Sequence, residues 1–309
     1  MSEHGKLTAR AAIASVSVAC GLMVLKGYAA WTTESMAMLG SLADTALDLV
    51  ASLVTLFGVR VAALPADHDH RFGHGKAEAI VALFQGIVIA GSSIAILIEA
   101  TSRLSVSRAA QAAELGIGAS AVAMAITACL LVYQRRVIAV TNSLAIRTDY
   151  VHYQSDLFLN LAVIVALMIQ RHFNWGGADA VFGIGIALWL LRGAWRSGRS
   201  AIDQLMDKEW PEARRLRLVE VASACPGFIN LHDLRTRSSG ARDFAQFHIW
   251  VAGDMTIAAA HDVIERLEDM IEAEFPGTEV LIHLDPIGRI DTDNPLVEAD
   301  QLALLKDVP

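Results

Sequence analysis

The sequence predicts a membrane α-helical bundle of six transmembrane helices, followed by a small α/β cytoplasmic domain of αββαβ order, ferredoxin-like in kind. Three observations lead there. Of the 309 residues, 54% are hydrophobic and only 19% charged, with a mean hydropathy of +0.44, whereas soluble domains carry about 25% charged residues. The apolar residues are concentrated between residue 11 and about residue 200, in runs near the roughly 20 residues that a bilayer core demands. Past Lys208 the pattern turns to charged and alternating sequence, the mark of a separate soluble domain. The chain therefore divides into a membrane domain at 1–207, a soluble domain at 208–290 and a polar tail at 291–309.

The six spans are expected at about 11–32, 38–61, 78–101, 112–134, 146–170 and 177–200. Lys6 and Arg10 precede the first. A cleavable signal peptide is the competing reading there, but the run is a full span and no small-residue cleavage box ends it. The third span is the most uniformly apolar, and the second and fifth are the most polar. Gly86, Gly91, Ser92, Gly183 and Gly185 suit close helix packing in lipid. With both ends on one side, that side collects Lys6, Arg10, Arg60, Arg71, Lys76, Arg135, Arg136, Arg147, Arg192, Arg196 and Arg199. The other side collects Arg103, Arg108 and Arg171, so the positive-inside rule puts both termini in the cytoplasm.

In the tail domain, "PEARRLRLVEVASAC" reads as an amphipathic helix opened by Pro211. "INLHDLRTRSSG" and "DFAQFHIWVAG" read as two strands across a glycine-containing turn. A second amphipathic helix, "TIAAAHDVIERLEDMIEAEF", stops at Pro276-Gly277, and "TEVLIHLDP" is a third strand. A net charge of −8 argues against a nucleic-acid partner. Cys20, Cys129 and Cys225 are far apart and form no CxxC pair, so neither a disulfide framework nor a thiolate metal site is expected, and Cys225 reads as a buried small residue.

Function is carried by side chains placed where they are costly. An ionisable group inside a span is a functional hypothesis by default. "LADTALDLV" in the second span places Asp44 and Asp48 four apart, and "VHYQSD" in the fifth places His152 and Asp156 four apart. Residues at i and i+4 share a helix face, so two facing helices present three carboxylates and one imidazole, the ligand number of a tetrahedral Zn²⁺. A wet helix end would account for one such pair; it is a poorer account of two at equal spacing. Lys26 stands alone in the first span and reads as a snorkelling or structural lysine.

Two further clusters offer the same chemistry. The loop "PADHDHRFGHGKAE" carries Asp67, His68, Asp69, His70 and His74 within eight residues. The tail carries His232, His248, His261, His283 and Asp285. Of ten histidines, only His4 and His172 fall outside these groups and the membrane quartet, a bias that packing does not explain.

These segments resemble the cation diffusion facilitator family, in its bacterial ferrous-iron/zinc efflux branch. The likeness runs from "RAAIAS" to "IHLDP" and is carried by Asp-x3-Asp, "FGHGKAE", "DYVHYQSD" and "HDLRTR". It implies a homodimer in the bacterial inner membrane, exporting a divalent ion in exchange for protons by alternating access. It also implies a transport site on Asp44, Asp48, His152 and Asp156, and a loop site on Asp67, His70 and His74, with His68 an additional candidate. The tail group becomes a binuclear site bridged by Asp285, and Lys76 with Asp207 a charge interlock between the domains. Leu284 stands beside the tail cluster where some relatives have a polar residue.

Ligands that also bind protons give such a site its exchange chemistry, because proton and metal compete for the same atoms. The oxygen-rich, sulfur-free set disfavours Cu⁺ and suits Zn²⁺ best, with Fe²⁺, Cd²⁺ and Mn²⁺ open. A membrane-anchored metal sensor or scaffold is the main rival, though it leaves the intramembrane quartet without a use. A passive channel is a poor fit to tight four-ligand binding. An intramembrane metallohydrolase lacks an HExxH-type base, and no enzymatic activity is expected.

Overall fold

The structure is a computed structural model describing residues 3–33, 36–104, 114–173 and 178–289. The polar tail at 291–309 and Arg108 lie outside them. The chain forms two compact units, Met1–Leu205 and Met206–Pro309.

The first unit consists of α1 (Glu3–Thr33), α2 (Met36–Ala62), α3 (Ala77–Leu104), α4 (Glu114–Thr141), α5 (Leu144–Phe173) and α6 (Ala178–Leu205). The spans expected at 11–32, 38–61, 78–101 and 146–170 each fall within one of these helices, and those at 112–134 and 177–200 do so apart from their first residues, which lie outside the described ones. By length and apolarity, α1 through α4 can each cross a membrane. Among the described residues α5 and α6 do not meet that criterion, although they are as long.

Helix α1 lies against α2 and α4, α5 against α6 and α4, and α3 pairs most extensively with α6. Where α2 meets α3, a Cβ at Gly58 would collide with Val81, so glycine sets how closely these backbones approach. The outward faces are apolar: Val24, Tyr28, Leu47, Phe57, Phe84, Ile87 and Ile98 are exposed, as a lipid-facing surface requires.

The second unit contains α7 (Glu212–Ser223), β1 (Asn230–Ser239), β2 (Arg242–Val251), α8 (Ile257–Glu274) and β3 (Thr278–Pro286), the expected αββαβ order. The sheet order is β1-β2-β3, with β1 and β2 antiparallel and β2 and β3 parallel. Thr256 caps α8 by accepting from the Ala259 amide at 3.2 Å. The core joins Leu218 and Val219 of α7, Val263, Leu267 and Ile271 of α8, and Leu231, Phe247 and Ile249 of the sheet, with Cys225 buried among them. Alternate residues on a strand face opposite ways, so with Leu231, Phe247 and Ile249 in this core, His232 and His248 fall on the other face of the sheet.

Candidate metal centres

Three carboxylate–histidine groups have ligand atoms mutually within 4.8 Å: Asp48, His152 and Asp156; Asp67, His70 and His74; and His232, His248 and Asp285. Each falls inside one of the clusters read from the sequence.

The first is built by α2 and α5. His152 Nε2 lies 2.9 Å from Asp48 Oδ1, and both side chains are largely enclosed. Asp44 falls outside this close set, one turn earlier on α2, but lines the same cavity of about 200 Å³ with Asp48, Asp156, Asn160, Thr127 and Lys26. Lys26 does not snorkel: its Nζ donates to Thr45 Oγ1 at 2.8 Å and to the Ser41 carbonyl at 3.5 Å. A lysine midway along a span has an acceptor nearer than the interface, and takes it.

One helical turn before His152, a second carboxylate is buried among polar partners that sequence reasoning did not single out. Asp149 of α5 is fully enclosed. It accepts from Ser15 Oγ of α1 at 2.7 Å, Gln134 Nε2 of α4 at 2.7 Å and Gln85 Nε2 of α3 at 3.4 Å. Gln85 also donates to the Thr55 hydroxyl of α2, so five helices meet at this carboxylate. The Tyr153 hydroxyl donates to the Ser15 carbonyl at 3.1 Å and lies 2.8 Å from Ser52 Oγ of α2. Donors converging on one buried carboxylate tie together the helices that carry the metal ligands, although the Gln85 and Gln134 amide oxygens are buried without a partner among the described residues.

The loop group sits between α2 and α3. Asp67 closes an Asx-type turn, its Oδ1 accepting from the amides of His70 at 2.6 Å and Asp69 at 3.0 Å. The His70 amide, above all, holds the Asp67 carboxyl below the usual carboxylate range, against a small opposing effect of desolvation. His74 Nδ1 lies 3.2 Å from the Pro65 carbonyl. Donation there fixes the tautomer and leaves Nε2, 3.3 Å from Asp67 Oδ2, with its lone pair free for a metal. His68 is exposed and outside the group.

The tail group follows from strand register. His232 of β1 is paired with His248 of β2, and His248 with His283 of β3, so three imidazoles form a row across the sheet. Asp285 follows His283 at the two-residue period that returns to the same face. Its carboxylate reaches His248 Nδ1 at 3.0 Å, His232 Nε2 at 3.2 Å and His283 Nε2 at 3.5 Å. His232 is 1% exposed; its Nε2 faces the Asp285 carboxylate, while its Nδ1 is buried without a hydrogen-bond partner among the described residues. A buried imidazole nitrogen without a partner fits a metal ligand. Burial, then the neighbouring His248, pushes the His232 pKa down, keeping the ring in its neutral, ligating form. His283 stands next to the close group but outside it, mostly exposed. His261 is not brought in: it lies on the exposed side of α8, 3.3 Å from Glu265.

Lys76 and Asp207 fall in different units. Lys76 Nζ donates to the Leu205 carbonyl at 3.2 Å, and Asp207 lies 3.6 Å from Arg237.

The comparisons with known proteins bear on the whole chain. A family model described as the cation efflux transmembrane domain matches residues 12–206, and one described as the cation efflux protein cytoplasmic domain matches residues 210–287. The cation-efflux pump FieF of Salmonella schwarzengrund is 38% identical over 96% of this chain and 98% of its own length. That of Salmonella arizonae is 38% identical over 93% of this chain and 95% of its own.

Proposed function

The chain belongs to the cation diffusion facilitator family, resembling its FieF-type cation-efflux pumps, and from that membership we propose that it exports a divalent metal ion, Zn²⁺ in the first place, in exchange for protons. It is a multi-pass membrane protein. In this reading α5 and α6 complete six spans in the bacterial inner membrane, both termini are cytoplasmic, and the protein works as a homodimer.

The observation that carries the reading is the Asp48–His152–Asp156 group, two facing helices bearing metal ligands within 4.8 Å of each other beside a polar cavity. His152 and Asp48 are hydrogen-bonded to each other. An arriving ion takes both, with Asp156 and, after a modest shift along the cavity, Asp44. Counted formally, three carboxylates and a neutral imidazole give −3 when empty and −1 with a divalent ion bound.

The charge that offsets the ion's dehydration also attracts protons. Because the groups are coupled, the exchanged protons belong to the cluster rather than to one named residue. The oxygen-rich, sulfur-free set favours Zn²⁺ and admits Fe²⁺, Cd²⁺ and Mn²⁺. The loop and tail groups are accessory stations in this reading. Metal in the tail would bias the arrangement of the two protomers and so link cytoplasmic metal to transport, with Lys76 and Asp207 holding the domains in register.

Uptake of Zn²⁺ into proteoliposomes, compared between the wild-type protein and Asp48→Ala, tests the proposal. Saturable uptake lost in the variant supports it. Wild-type protein that binds Zn²⁺ but moves none would make the chain a membrane-anchored sensor or scaffold instead.

A further inference from the structure

Lys26 is the intramembrane charge that the ligand quartet leaves unexplained. It lines the same cavity as Asp44, Asp48 and Asp156. A cation built into a cavity for cations is a functional oddity, and the local structure shows that it is held there. Thr45, 1% exposed and adjacent to Asp44 in the chain, accepts from Lys26 Nζ, and its own hydroxyl donates to the Ser41 carbonyl at 3.0 Å. The ammonium is thus hydrogen-bonded to Thr45, and among the described residues it makes no ion pair with the carboxylates. It stands beside the ligands without neutralising any of them.

We propose that Lys26 is a resident countercharge of the transport cavity, a positioning residue that lowers metal affinity to a level from which the ion can leave. This rests on the transport reading above. A cluster of three carboxylates in a cavity of low dielectric would retain a divalent ion tightly, and slow release would then limit turnover. A fixed positive charge lining the same cavity repels the bound ion while it stabilises the empty, negative site, and both effects are stronger out of water. The Thr45 tether keeps the ammonium in that position. Were it free to reach Asp44 or Asp48, it would compete for ligands outright rather than weaken the site uniformly.

The test uses the full-length protein in two forms. Zn²⁺ binding is measured by calorimetry in a His74→Ala/Asp285→Ala background, with the cavity signal defined as the part lost on adding Asp48→Ala. Zn²⁺ uptake is measured in proteoliposomes without those background changes. Lys26→Met, which keeps the length and removes the charge, is expected to bind Zn²⁺ in the cavity about tenfold tighter. Its KM for uptake should fall and its turnover should fall with it, while Lys26→Arg stays near wild type on all three measures. Unchanged or weaker binding in Lys26→Met, Lys26→Arg behaving like Lys26→Met, or no cavity signal at all would each overturn the proposal. Should the wild-type protein bind metal in the cavity but move none, the transport reading fails, and the calorimetric comparison still decides the role of Lys26.

Discussion

The membrane group and the tail group use nearly the same ligands on opposite kinds of scaffold. In the bundle, Asp48, His152 and Asp156 sit on two separate helices, and the spacing of four places each pair on one face. In the tail, His232, His248 and Asp285 sit on three hydrogen-bonded strands, where register, not spacing, makes neighbours. Two helices can shift against one another, opening or closing a site between them. Three strands locked in one ladder cannot do so without breaking main-chain bonds. In the proposed reading, the difference suits moving cargo to the bundle and a resident metal to the sheet.

The largest effect that would break this comparison is at Asp48. Asp48→Ala is expected to reduce Zn²⁺ transport at least 100-fold, within the range a metal ligand commands, about 10- to 100-fold even for groups one shell out. Metal binding by the tail should be unaltered, which calorimetry on the same preparation reads. Equal loss at both places would mean that the two groups are not independent stations.

Asp149 sharpens the comparison from the scaffold side. Asp149→Ala leaves Gln85 and Gln134 buried without their shared acceptor, a cost of about 3 kcal/mol for a broken buried network. A thermal-unfolding midpoint in detergent that falls by several degrees, together with reduced transport, is the expected result. A variant as stable as wild type would show that the five-helix junction contributes nothing.

Smaller is the expected effect of His232→Ala, about 10- to 100-fold weaker metal binding by the tail with transport reduced but not abolished. The pH dependence of the apo tail follows from the lowered His232 pKa. Below the ordinary imidazole value, about 6.5, the unfolded chain takes a proton that the folded one refuses, so stability is lost as pH falls through that value and is fully present above it. Chemical denaturation at pH 7.5 and pH 5.5 reads the sign, and greater stability at pH 5.5 would contradict it. Smallest of all, His68→Ala should change loop metal binding by less than about twofold, since His68 lies outside the close loop group.

What the sequence made legible follows from the same contrast. Helix-face pairs are visible as spacings, so Asp44, Asp48, His152 and Asp156 could be read without a structure, and all four line or lie beside one cavity. The sheet's histidines were visible as a compositional bias, but which of them meet depends on register. That is why His261, on a helix, was grouped with residues it does not touch. Asp149 lay in plain view within "DYVHYQSD", yet its partners are 134, 64 and 15 residues away, and neutral amides and hydroxyls leave little trace in a hydropathy pattern. Lys26 was read as a snorkelling or structural lysine, and the structure favours the second: the acceptor that holds it is on another helix, which spacing along α1 does not reveal.

The account turns on one cluster serving both metal and proton. Proteoliposomes loaded with a pH-sensitive dye and given an inward Zn²⁺ gradient test this directly. Zn²⁺ entry should be matched by proton exit, and both should vanish together in Asp48→Ala. Zn²⁺ entry with no proton movement would contradict the account and make the protein a passive channel.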